Sequence, residues 1–126
     1  MDLNRHLIIG NLGDDPMHFN DPGKTEMTTF SVATTLRFQG ANNQSAEETE
    51  WHRVVAFGKL ADNCERLLSK GRQIYVEGRL RTRQYEAKDG SGTRYRTEIV
   101  ALQLRVLGNR LNSAVPNTET SDDIRF

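Results

Sequence analysis

The chain has 126 residues, 36% hydrophobic and 27% charged, enough for one modest domain with a small core. Its 17 basic and 17 acidic residues cancel and its single cysteine, Cys64, has no intrachain disulfide partner, so neither overall charge nor a staple points to a partner or a compartment beyond a reducing one. No Cys/His set has zinc-ligand spacing, and neither a signal peptide nor a membrane span can be read; a soluble, cytoplasmic, unprocessed protein without metal or cofactor is expected.

Leu3 to Leu12 is apolar on both sides of a strand, with Leu3, Leu7 and Ile9 on one and Ile8 and Leu12 on the other, as for a strand covered on two faces. Gly13-Asp-Asp-Pro16 and Asn20-Asp-Pro-Gly23 read as turns bounding a hairpin-like excursion. A strand is predicted over Met27 to Thr35, with Phe30 and Val32 inward. Gln39 to Glu48 has almost nothing to bury and reads as a long mobile hairpin loop. Thr49 to Phe57 is a further strand. Leu60 to Lys70 carries Leu60, Cys64, Leu67 and Leu68 at helical spacing, with Gly71 placed to end the helix in a left-handed conformation. Strands over Arg72 to Ala87 and Arg94 to Leu107 flank a turn at Asp89-Gly-Ser-Gly92, the last strand showing Val100, Leu102, Leu104 and Val106 on one face.

Three strands, one helix and two strands is the element order of the OB-fold, a five-stranded, partly open Greek-key barrel in an all-β class, whose face commonly binds oligonucleotides. Beyond Asn109 the periodicity stops. Residues 1–109 therefore read as the OB-fold domain, and 110–126 as a flexible linker ending in an acidic tip.

Charge is distributed unevenly. From Glu65 to Arg83 six basic side chains face two acidic ones. In the strand that follows Arg72, the period of two puts Tyr75, Glu77, Arg79, Arg81, Arg83 and Tyr85 on one face and Ile74, Val76, Gly78, Leu80 and Thr82 on the other. Guanidinium groups at alternate positions followed by a ring suit a nucleic-acid strand: cations for its phosphates and a flat apolar surface for an unstacked base. Trp51, Arg53, Val55 and Phe57 share one face of the preceding strand. Two readings fit that face, a core face with both rings buried or an exposed stacking face. The recurrence of rings and arginines on two strands favours the second.

Lys59 follows Gly58 between strand and helix, where phosphates bind helix N-termini, but the Walker glycine spacing and following Ser/Thr are absent. Asp14 and Asp15 fit an Asp-Asp-Pro turn rather than a metal site. No nucleophile and base stand in a recognisable pair, so no enzymatic activity is expected. Cys64 reads as a helix packing residue, and His6 and His18 have no evident partner.

Gly10-Asn-Leu-Gly-Asp-Asp-Pro16, Thr49-Glu-Trp-His-Arg-Val-Val-Ala-Phe-Gly-Lys-Leu-Ala61, Gly78-Arg-Leu-Arg-Thr-Arg-Gln-Tyr85 and an acidic end closing in phenylalanine together resemble the bacterial single-stranded DNA-binding protein family. The resemblance covers about residues 1–108 and the last five. It implies a homotetramer that binds and protects single-stranded DNA with little sequence preference during replication, repair and recombination. It implies stacking by Trp51, Phe57 and Tyr85, the last where tryptophan is common, and by Phe38 at another frequent tryptophan position. Phe38 shares parity with Phe30 and Val32, so it joins that set only if the strand bends or bulges before it. Phosphate contacts would come from Arg53, Lys59, Arg81 and Arg83, with Arg79 and Arg5 as secondary candidates. His52, on the face opposite Trp51, would lie at a subunit interface.

The tip Asp122, Asp123, Ile124, Arg125, Phe126 combines acid with a terminal ring, a pattern for a basic, apolar docking pocket. By resemblance Asp122, Asp123, Ile124 and Phe126 would dock replication, repair and recombination proteins, although Arg125 stands where the family usually has proline. Two other readings remain open: a primosome-type adaptor on the same barrel, and an RNA-binding, cold-shock-like OB module.

Overall fold

The computed structural model describes residues 1–107; the expected linker and acidic tip lie outside the described residues. Six strands and one helix are present: β1 (His6–Leu12), β2 (Met17–Phe19), β3 (Met27–Gln39), β4 (Ser45–Phe57), α1 (Lys59–Leu67), β5 (Gln73–Glu86) and β6 (Thr93–Leu107). The sheet order is β1-β5-β6-β4-β3-β2, and a second pairing of β1 with β3 closes the five long strands into a barrel. All ladders are antiparallel except the short parallel contact Val54↔Ile99 and Val55↔Val100 between β4 and β6. This is the OB-fold the element order suggests.

The interior is filled by alternate residues of each strand: Leu12, Phe30, Val32, Val54, Ala56, Ile74, Val76, Ile99, Ala101, Leu104 and Val106. The helix plugs one end of the barrel with Leu60, Ala61 and Cys64. A polar chain fixes it there. Thr28 gives its hydroxyl proton to the Ala61 carbonyl (2.7 Å) and so accepts from His18 Nδ1 (2.8 Å), whose Nε2 lies 2.9 Å from Glu26. His18, without an evident partner in the sequence, therefore links β2, β3 and α1.

Four boundaries and faces differ from the sequence reading. Gln39 to Glu48 is a paired hairpin rather than a long loop: β3 and β4 stay in register out to Gln39↔Ser45, turning through a 3-10 segment, Ala41–Asn43, with Asn42 and Asn43 at positive φ. Backbone pairing needs no apolar side chains, and Arg37 and Glu47 add an ion pair at 2.9 Å. The helix ends at Leu67, and Gly71 (φ 86°) belongs to the following turn, where its N–H donates to the Leu12 carbonyl. The last strand does not keep one face. Register shifts by one residue opposite Glu77/Gly78, so Ile99 and Ala101 point inward before the shift, Leu104 and Val106 after it, and Leu102 is exposed. Finally, the described residues cover β1 on its barrel side only: Leu7 and Ile9 are 53% and 54% exposed, and the cover expected on their side is not supplied by them.

Candidate nucleic-acid interface

Cross-strand pairing defines the face outside the barrel core. Thr29↔Val55, Ser31↔Arg53 and Ala33↔Trp51 join β3 to β4; Val55↔Val100 joins β4 to β6; Arg81↔Glu98 and Arg83↔Arg96 join β6 to β5. Paired residues share a side, so Trp51, Arg53, Phe57, Arg79, Arg81, Arg83 and Tyr85 lie on one continuous three-stranded surface. The two striped strands converge as the alternation suggests.

Each ring on this surface has a neighbour. Trp51 is 60% exposed, and its six-membered ring lies beside Gly13, where a Cβ would run into ring atoms. Gly13 thus leaves the indole its present place, since an added Cβ would push the exposed ring aside. Arg81 Cζ stands 5.6 Å from the Phe57 ring centre, and Arg96 Cζ stands 5.1 Å from that of Tyr85. Both are cation–π distances.

The arginines meet on a residue that sequence reasoning passed over. Glu98 is buried, and its carboxylate accepts from Arg81 Nη2 at 3.0 Å and from Arg83 Nε at 3.0 Å, with Arg53 Nε at 3.6 Å. Burial pushes this carboxyl up, but hydrogen bonds and charge from Arg81 and Arg83 outweigh that and leave it below the ordinary value. Arg53 is shifted down by burial and by the charge of Arg96, against the pull of Glu98. Arg94, Arg96 and Glu98 alternate in β6 as Arg79, Arg81 and Arg83 do in β5, but only the ladder that sets Glu98 opposite Arg81 marks the acid as their partner.

The remaining candidates are placed as follows. Lys59 is exposed at the first position of α1, behind Gly58 (φ 67°). Arg79 is exposed opposite Val100. Arg5 lies 3.1 Å from Glu77, which also accepts the Tyr75 hydroxyl, so it is held away from the Glu98 cluster. Phe38 is not brought to this surface: β3 and β4 pair without a bulge from Met27 to Gln39, which leaves it on the side opposite Trp51. His52 is also on that opposite side, bonded through Nε2 to Thr34 Oγ1 at 2.9 Å, with its ring 6.0 Å from that of His6. Its pKa is lowered by burial and by His6. Asp15 accepts the Lys70 N–H at 2.8 Å, which gives the turn acid a structural partner. Cys64 is buried, and burial pushes its thiol up to about 12. Among the described residues no His, Cys, Asp or Glu group is arranged to hold a metal ion, and no helix is long and apolar enough to cross a membrane.

Comparison with known proteins gives the same direction. The chain is 46% identical over 123 residues to Single-stranded DNA-binding protein 1 of Xylella fastidiosa, covering 95% of this chain and 89% of that protein. It is 42% identical over 106 residues to Single-stranded DNA-binding protein 1 of Chlorobaculum tepidum, covering 84% of this chain but 65% of that longer protein. In three dimensions it resembles a Plasmodium falciparum SSB in complex with single-stranded DNA, with a TM-score of 0.76 and 32% identity over 86% of this chain and 97% of the other. Residues 3–107 match the Single-strand binding protein family as a whole, and with these relatives the match shows that the chain belongs to that family.

Proposed function

We propose that this protein binds and protects single-stranded DNA with little sequence preference, as a binding protein and not an enzyme. The observation that carries the reading is the surface on which Trp51, Phe57 and Tyr85 alternate with Arg53, Arg81 and Arg83 across β4, β6 and β5. Rings accept any base because every base offers a π-face, and cations follow the backbone. Lys59, Arg79 and Arg5 extend the cationic path at its margins, and Phe38 joins it only for a strand that passes round the edge of the β3–β4 arm.

Self-association into a tetramer is supported by β1. Among the described residues its outer edge has no strand partner from His6 to Gly10, while Leu7 and Ile9 are exposed and Ile9, Tyr75 and Leu107 line a shallow groove. His52 stands beside His6 at the start of that edge, consistent with a role at a subunit contact. Residues 1–109 act as the binding domain, and 110–126 as the linker whose Asp122, Asp123, Ile124 and Phe126 dock replication, repair and recombination proteins. A cytoplasmic, nucleoid-associated location follows from that role.

Competition between DNA and RNA oligomers of one sequence, followed by a titration of coverage on long single strands, tests the reading. Preference for DNA with dense coverage is expected. Preference for RNA, or sparse coverage, would favour an RNA-binding module or an adaptor instead.

A further inference from the structure

We propose that Glu98 is a positioning residue for strand binding, a buried internal counter-anion that fixes Arg81, Arg83 and Arg53 on the face and limits how many phosphates these three can neutralise. The inference rests on the reading of that face as the single-strand site.

Glu98 sits where β4, β5 and β6 converge, opposite Arg81 in the ladder and next to Ile99, which pairs with Val54. Its side chain is fully shielded, while those of Arg53, Arg81 and Arg83 are 31%, 34% and 42% exposed. Both carboxylate oxygens are occupied from the protein side: Oε2 by Arg81 Nη2, and Oε1 by Arg83 Nε with Arg53 Nε nearby. Each guanidinium has five N–H donors; Glu98 takes Nη2 of Arg81 and Nε of Arg83 and pairs by charge with Arg53, and the partly exposed remainder of each group can face phosphate. Arg81 is held where its Cζ also covers the Phe57 ring. The cluster of three cations and one anion carries a net charge of +2, although a count of exposed cations would suggest three phosphate contacts. The carboxylate therefore trades charge for geometry: fewer counterions are displaced, but the donors are already aimed before the strand arrives.

Affinity for oligo-dT, measured over a range of salt concentrations with the full chain, separates the possibilities. Each neutralised phosphate of a single strand contributes about 0.7 to the slope of log affinity against log salt. Glu98→Gln, folded by circular dichroism, is expected to steepen the slope by about 0.7 and to bind more tightly at low salt. Glu98→Asp, which keeps the charge, is expected to retain the original slope. An unchanged slope in Glu98→Gln, or an equally steep one in Glu98→Asp, would overturn the proposal. Should Glu98→Gln fail to fold, the charge-balanced double variant Glu98→Gln/Arg81→Gln carries the test. Its slope should equal that of the unaltered protein and exceed that of Arg81→Gln alone by about 0.7; a slope equal to Arg81→Gln alone would overturn it. If Arg81→Gln and Arg83→Gln each leave affinity and slope unchanged, the face itself is not the site, and the proposal falls with it for a separate, recognisable reason.

Discussion

Trp51 has the Cζ3–Cη2 edge of its ring beside Gly13 and is otherwise largely open to solvent, which makes it the most accessible stacking platform on the surface. Trp51→Ala is expected to weaken oligo-dT binding by about 1–3 kcal/mol, measured by anisotropy of a labelled oligomer. Gly13→Ala tests this contact: the added methyl group must displace the exposed indole, so binding should weaken while urea stability changes by less than about 1 kcal/mol. Glu98 adds a pH signature. Its folded pKa lies below the ordinary 4.5, so its stabilising effect is complete above that value and is lost as pH falls through the lower, folded value. At neutral pH Glu98→Gln is expected to cost about 2 kcal/mol in urea unfolding, less than a fully buried pair because the arginines are partly solvated. The gap between the two proteins should narrow below about pH 4.5. The rings and arginines were legible from period-two alternation; Glu98 was not, because a lone acid between Thr97 and Ile99 looks like a solvated residue until the ladder sets Arg81 opposite it.

At the level of elements, the order of the long strands and the helix was readable because the apolar alternation of Phe30 and Val32, of Ile74 and Val76, and the helical spacing of Leu60 and Cys64 survive into the structure. What failed had local causes. The distal half of the β3–β4 hairpin carries almost no apolar pattern, and its pairing comes from backbone hydrogen bonds and the two left-handed asparagines of its turn. The face assignment in β6 failed because one extra residue opposite Gly78 inverts the alternation, and no composition signal marks that shift. Gly78 shows why the position is constrained: a Cβ there would meet the Val100 carbonyl and the Ile99 side chain. Gly78→Ala is expected to destabilise the barrel by about 1–3 kcal/mol through overpacking, read from a lower urea midpoint, with the emission of Trp51 in the folded state unchanged.

For the whole molecule, the barrel acts as a rigid frame that brings three strands side by side, so that two sparse stripes become one surface with rings in front and a buried carboxylate behind. The exposed Leu7 and Ile9 of β1 pair with Glu77 and Tyr75, toward the opposite end of β5 from Arg81, Arg83 and Tyr85. Stacking and charge on this surface are the proposed grip on single strands. The most direct test is titration of the fluorescence of Trp51, the only tryptophan in the chain, with oligo-dT and with duplex DNA of equal length. Strong quenching by the single strand, weakened by added salt, with little response to duplex, is the expected result. Tight binding without quenching, or equal quenching by duplex, would contradict it.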